Sequence, residues 1–278
     1  MIRETDNPHN SRPFDVHTWS DHPEVNNFLE DIFNLLPDDL ESQSNRKGTP
    51  TKRVLKVLLL DVFVVWKEDP TKWIGISLSE KSYRVSSRYN ALHLSKKTIP
   101  VVHALNDLGL LDWLNHSHSR TNPRGNRTTR IRASDRLQEM FAQAALEEDW
   151  IRFNEQKEVI VLRDKDEEDP GQDSFDKDGA KKRKTSKNIE YDDAEFPAFL
   201  DGAREDLRAY NDLLNGCHID IASLDEPRFD RTDDQGRTKS VHLHQGRHFV
   251  RRVFSRGSFH CNGRFYGGWW QNCPKQYR

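Results

Sequence analysis

Hydrophobic and polar positions follow two rhythms along this chain. In Glu24–Leu36, the residues Val25, Phe28, Leu29, Ile32, Phe33 and Leu36 share one side at helical spacing, and Pro37 with Asp38–Asp39 closes the run. Thr51–Glu68 is apolar around most of its circumference, through Val54, Leu55, Val57, Leu58, Leu59, Val62, Phe63 and Val65. That pattern predicts a helix buried on several sides and ended by Pro70. Asp61 is the one charge inside its apolar run.

The following stretch is shorter in its rhythms. Trp73–Ser77 reads as a strand, and Ser79–Tyr89 as a short helix packed through Tyr83 and Val85. Ser95 offers an N-cap to a helix whose inner face is Ile99, Val102, Leu105 and Leu108, with Gly109 placed for its C-cap. Leu110–His116 and Thr128–Ile131 are β-favouring arms on either side of the turn-rich 122–126. Ser134 caps a helix carrying Leu137, Met140 and Phe141, and Val159–Leu162 is a further strand. Phe196–Leu214 reads as an acidic amphipathic helix, and Val241–Arg278 as an aromatic, basic segment with strand-like pieces.

Composition adds a solvated segment to this picture. Of the 278 residues, 34% are hydrophobic and 32% charged, fewer and more, respectively, than a globular average. Asp164–Glu190 holds 9 acidic and 7 basic residues with only Phe175, Ala180 and Ile189 as apolar ones. It has too little to bury and is expected to be a disordered linker. The fold class expected is mainly α with small β (α+β). Its parts are an acidic lead over 1–48 with one docked helix, a domain of helices and a hairpin over 50–163, the linker over 164–190, and a small α+β segment over 191–278.

The formal net charge of −2 conceals strong segregation. Met1–Gly48 has 10 acidic and 4 basic residues, Thr51–Arg136 has 7 and 16, and Tyr191–Asp234 has 13 and 4. Gln235–Arg278 has 9 Lys/Arg, 4 His and no acidic residue. Two basic blocks separated by acidic ones point to a polyanion partner.

Helix, short strand, helix, turn, helix and hairpin, with the string LSKKTIPVVHALNDLGLLDW…TNPRGNRTTRIR, resembles a winged helix-turn-helix domain. Such domains occur in plasmid replication initiators and in bacterial multi-antibiotic-resistance-type regulators. The resemblance implies duplex DNA contact by Lys96, Lys97, His103 and Asn106 on a recognition helix, and by a wing carrying Arg120, Arg124, Arg127, Arg130 and Arg132.

In the tail, aromatic rings interleave with cations, the combination that single-stranded nucleic acid requires. The candidates there are Arg251, Arg252, Arg256, Arg264, Phe265, Tyr266, Gly267 and Gly268. GRFYGGWWQ is similar to a segment of bacterial and phage proteins with a polymerase-like region further on. Phe265-Tyr266-Gly267-Gly268 also resembles the aromatic-x-Gly-Gly motif preceding the first palm carboxylate of family B DNA polymerases. Phe265 stands where that motif has tyrosine, and the palm aspartates would lie beyond Arg278.

Together these readings predict a DNA-binding protein of plasmid- or phage-type replication or transcriptional regulation. The alternatives are an N-terminal portion of a polymerase- or primase-like enzyme, and a protein-interaction module using the acidic segments. No catalytic residue, cofactor or metal is expected. His242, His244, His248, His260, Cys261 and Cys273 have no organised ligand spacing, and no phosphate-binding or nucleophile motif is present. Three unpaired cysteines and a polar N-terminus predict a cytoplasmic, nucleoid-associated protein without a membrane partner, for which a dimer is compatible.

Overall fold

The computed structural model describes residues 7–38, 40, 51–83, 86–117, 127–164, 187–217, 219–225, 228–233, 236–242 and 248–274. The chain divides into two compact units, one of Met1–Lys157 with Ile219–Arg247 and one of Glu158–His218 with His248–Arg278. The described elements begin with β1 (Ser11–Pro13), β2 (Thr18–Trp19), α1 (Pro23–Phe33), α2 (Thr51–Glu68), β3 (Trp73–Ile76) and α3 (Thr98–Asp107). Next come β4 (Leu111–Leu114), β5 (Thr129–Ala133), α4 (Asp135–Gln143), β6 (Arg152–Phe153) and β7 (Ile160–Leu162). The remainder is α5 (Pro197–Asn215), β8 (Arg228–Thr232), β9 (Thr238–His242), β10 (Arg251–Ser255), β11 (Ser258–Tyr266) and α6 (Trp269–Asn272).

In the first unit α2 is the core. Val54, Leu55, Val57–Leu60 and Val62–Val65 are all buried, as a helix apolar all round must be. Val25, Phe28, Leu29 and Ile32 of α1 pack into the same cluster, as do Val101, Val102 and Leu105 of α3 and Leu137 and Phe141 of α4. The Phe141 ring meets Phe63 at 5.1 Å edge-on and Phe28 at 5.4 Å. A four-stranded sheet in the order β1-β3-β5-β4 completes the unit, with β1 parallel to β3 and the remaining pairs antiparallel.

Asp61 sits fully buried in α2 and determines how the N-terminal strand docks. Arg12 grips its carboxylate with both terminal nitrogens, at 2.6 and 3.0 Å. The Asp15 amide donates to it at 3.0 Å and the Thr18 hydroxyl at 3.3 Å. Burial opposes the charge on Arg12, but Asp61 and Glu68 outweigh it and hold the guanidinium above its ordinary range. Burial likewise pushes Asp15 up, yet Lys157, at 3.1 Å, and His17 keep it well below the usual carboxylate range.

Asn10, one residue before β1, makes a second buried junction. Its amide nitrogen donates to Asp69 at 2.9 Å, and its oxygen accepts the Ser240 amide of β9 at 3.0 Å. The β8–β9 hairpin is thereby tied to the strand that Arg12 anchors.

The winged helix-turn-helix expected over 50–163 is not formed. Among the described residues its second helix, placed at Ser79–Tyr89, is only a 3₁₀ turn at Glu80–Ser82 followed by turns at Ser86, Arg88 and Tyr89, while the packing candidate Val85 lies outside the described residues. The serines there bond locally instead of supporting a helix: Ser77 Oγ to Ser82 Oγ at 2.7 Å, and the Tyr89 amide to Ser87 Oγ at 3.2 Å. Tyr83, assigned to helix packing, donates its hydroxyl to the Ser77 carbonyl at 2.6 Å, and burial pushes its phenol up to about 12. The sheet also departs from a bare hairpin, because β1 joins it from the N-terminal segment. The coarse α+β class stands.

The second unit is a three-stranded sheet in the order β11-β10-β7 with α5 across it. Leu200, Leu207 and Leu214, at seven-residue spacing on α5, pack on Ile160, Leu162, Val250 and Phe254. The Asn211 side chain donates to the Val250 carbonyl at 3.0 Å and accepts its amide at 2.6 Å, pinning helix to strand. Burial opposes the charge on Arg204, but bonds from Asp193 and Glu158 outweigh it and raise its pKa. The greater part of the expected disordered linker, 165–186, lies outside the described residues, while its ends pair: the Asp164 amide bonds the Lys187 carbonyl at 2.8 Å.

Replacing Arg12 by Met leaves the Asp61 carboxylate buried without its counter-ion and should cost about 3–5 kcal/mol of unfolding free energy. The double change Arg12→Met/Asp61→Leu should recover most of that loss. Urea denaturation of the three proteins measures it, and a single variant as stable as the parent contradicts the pairing's importance.

Candidate nucleic-acid interface

Basic side chains from three separate parts of the first unit converge on one cleft of about 380 Å³. Its walls carry His9 from the N-terminal segment, Arg130 from β5, and Arg231, Arg237 and Lys239 from the β8–β9 hairpin with its turn. Asp233 is its single carboxylate, and that group is committed to the turn. It accepts the Arg237 amide at 3.0 Å and the Arg237 guanidinium at 2.6 Å.

Arg231 and Lys239 are direct cross-strand partners, so two like charges lie side by side on the hairpin. Such pairs are destabilising unless an anion lies between them. Among the described residues no carboxylate forms an ion pair with either, and both are exposed.

Arg130 is set by its backbone surroundings. Its guanidinium donates to the Thr128 hydroxyl at 2.6 Å and lies over Gly75 of β3, where a Cβ would stand 2.5 Å from a terminal nitrogen. Partial burial first, then the neighbouring Arg127 charge, lowers the Arg130 pKa. Arg127 lines an adjoining open cleft of about 690 Å³, together with hydroxyls of Ser77, Ser79, Ser117 and Thr128. Its Nε is buried with no hydrogen-bond partner among the described residues.

The same field acts on His9. Partial burial, followed by the charges of Arg237 and Arg127 and, more weakly, Arg130, holds its imidazole below the ordinary 6.5, against the pull of Asp233. The arginine charges around the cleft thus add to burial in disfavouring a further proton.

The structure distributes the sequence-predicted residues unevenly. Arg127 and Arg130 belong to these clefts. Arg132 does not: it is buried, bonds Asp112 at 3.0 and 3.1 Å, and stacks over Trp73 at 4.3 Å. Arg130 and Arg132 share one face of β5, being two residues apart, and differ in their neighbours: Arg132 is in register with Asp112 and lies over Trp73, whereas Arg130 is in register with Leu114 and Gly75.

Arg120 and Arg124 lie outside the described residues. Lys96 is exposed and within 3.3 Å of Glu80, the Lys97 ammonium is buried without a hydrogen-bond partner among the described residues, the His103 ring lies 5.3 Å from Trp113, and Asn106 is half-buried. These four do not line the clefts.

Four contributors escaped the sequence reading: His9, Arg231, Arg237 and Lys239. A signal for the last three was present. Arg228–Thr232 and Thr238–His242 are β-favouring runs around Asp233 and Gly236, but the acidic balance of 191–234 hides it.

In the second unit, the tail's candidates lie on β10, β11 and the turns that follow them. Arg251 and Arg264 are exposed on the strands, and Arg256 occupies the β10–β11 turn. The Arg252 guanidinium lies 5.0 Å from the Phe254 ring centroid and 5.7 Å from that of Phe265. Phe265 and Tyr266 are exposed. Gly267 and Gly268 turn the chain from β11 into α6. At Gly267, with φ +92°, any Cβ would overlap the Phe249 carbonyl oxygen.

No helix among the described residues is long and apolar enough to cross a membrane, and none of their His, Cys, Asp and Glu form a group of three able to hold a metal ion. Compared with family models, curated proteins and solved structures, the chain matches none.

A polyphosphate in the cleft would offset the arginine charges, so His9 should titrate higher with an oligonucleotide bound than free. Binding should then tighten as pH falls from about 7.5 to about 6. In the free protein the depressed His9 acts in the opposite sense. The unfolded chain takes the proton first, so its contribution to stability is lost as pH falls from 6.5 through the lowered value. Histidine NMR titration, with His9→Asn for assignment, reads both, and a His9 resonance indifferent to oligonucleotide would empty the cleft of phosphate.

Proposed function

We propose that the first unit binds DNA by its phosphate backbone, duplex DNA in particular, through the clefts around Arg127, Arg130, Arg231, Arg237 and Lys239. The observation that carries this reading is the Arg231–Lys239 pair: two unneutralised cations held opposite one another beside Arg130. Counterion release from phosphates supplies the favourable free energy such a surface lacks by itself.

The character of the clefts supports a duplex over a single strand. Their walls offer guanidinium, ammonium and hydroxyl groups. The aromatic side chains that stand exposed among the described residues (Phe196, Phe199, Tyr210, Phe265 and Tyr266) all belong to the second unit. A duplex keeps its bases stacked inside and presents phosphates, which is what such walls recognise. This reading needs no recognition helix. It places affinity in the sheet edge and the β8–β9 hairpin, with the backbone, and not base edges, as the target.

The experiment is the salt dependence of duplex binding. Each lost phosphate contact should reduce the slope of log K against log salt by about 0.9. Arg231→Ser/Lys239→Ser should therefore flatten it by about two and weaken binding at low salt. Arg152→Ala, an exposed arginine outside the clefts, should leave the slope unchanged. A double variant with the parental slope and affinity removes the hairpin from the function.

A further inference from the structure

The second unit contains a cleft of about 390 Å³ that the phosphate-binding reading does not use. From it we infer a separate site for an unpaired nucleobase of a single-stranded nucleic acid.

Helix and sheet build the two walls. Asp206 and Tyr210 stand four residues apart on α5 and so share a face of the helix. Arg252 of β10 and Phe265 of β11 are cross-strand partners in register, so they lie side by side on the sheet. Leu207, buried, forms the apolar floor, and Trp270 of α6 closes one end. The volume falls within the range of small-ligand pockets.

Three features suit a base. First, Tyr210 and Phe265 keep 39% and 50% of their surface exposed at the cleft, although each is large and apolar enough to be expected inside. Planar faces left open on a cleft are stacking platforms. Second, the rings are pre-organised. The Gln271 side chain donates to the Phe265 carbonyl at 2.7 Å and accepts the Gly267 amide at 2.8 Å, locking the end of β11 to α6. Trp270 lies against Gly268 so closely that any Cβ there would collide with its ring. Little ordering is left to oppose binding.

Third, the charges are placed for a nucleotide chain. Arg252 bonds the Gly263 carbonyl at 3.1 Å, stacks on Phe254 and Phe265, and forms no ion pair among the described residues. The β10–β11 hairpin adds the basic side chains of Arg251, Arg256 and Arg264. Asp206 is the acceptor on the opposite wall, suited to the amino edge of a base. A polyanion that carries planar rings meets all three conditions.

The test uses the full chain with labelled oligo(dA), oligo(rA), an abasic single strand of the same length, and a duplex. The base-bearing strands should bind and the abasic one should bind far more weakly. Phe265→Ala and Tyr210→Ala should each weaken oligo(dA) or oligo(rA) binding by roughly 5- to 100-fold. Phe265→Trp should restore affinity, and the duplex salt slope should not move. Introducing Arg231→Ser/Lys239→Ser should leave the base-dependent part intact, so a failure of either site is read separately. Equal affinity for base-bearing and abasic strands, or Phe265→Ala and Tyr210→Ala variants that bind like the parent, would overturn the base site.

Discussion

A carboxylate in the middle of a helix buried on every side has to be neutralised, and in the first unit that requirement organises the chain. Asp61 cannot reach water from α2, and Arg12 is brought to it by a short strand far away in sequence. With Arg12 held, Ser11–Pro13 is positioned to run parallel to β3, the Asp15 amide and the Thr18 hydroxyl complete the acceptor's shell, and Lys157 closes on Asp15. Asn10 extends the arrangement to the β8–β9 hairpin. Breaking such a buried pair is costly because the partner left behind has no solvent to replace it.

The basic cleft follows from that framework. Its cations come from β5 and a hairpin nearly a hundred residues further along, with His9 of the N-terminal segment beside them, and the hairpin is tied to that segment through Asn10. What gives the cleft its field is less the number of cations than the placement of the carboxylates. Asp233 is spent on Arg237, Asp112 on Arg132, and Asp61 on Arg12, which leaves Arg130, Arg231 and Lys239 facing one opening.

Much of the helical architecture was legible in the sequence, and the reason is local. The apolar rhythm of Pro23–Phe33, Thr51–Glu68, Thr98–Asp107 and Pro197–Asn215 repeats within a few residues, so it can be read without knowing what packs against it. The rhythm failed at Ser79–Tyr89, where two apolar residues among serines were too little to sustain a helix, and with that helix went the winged helix-turn-helix. The wing arginines illustrate a second limit. Arg130 and Arg132 are alike in sequence and share a face of β5, yet their cross-strand neighbours differ, Gly75 and Leu114 leaving the one in the cleft while Asp112 and Trp73 hold the other.

By itself the sequence determined the positions of the main helices, the segregation of charge into blocks, and the presence of rings beside cations in the tail. Tertiary structure alone decided that a segment resembling a polar lead carries the sheet's first strand and the counter-ion of Asp61. It alone decided that the cations of the β8–β9 hairpin, which straddles the acidic and the basic block, join Arg130, and that Gly267 and Gly268 serve a turn beside the rings they follow. The physical reason is the same in each case. Periodicity and composition are properties of neighbours along the chain, whereas the partner of a buried charge, the register of a strand and the wall opposite a ring are set by residues that only folding brings near.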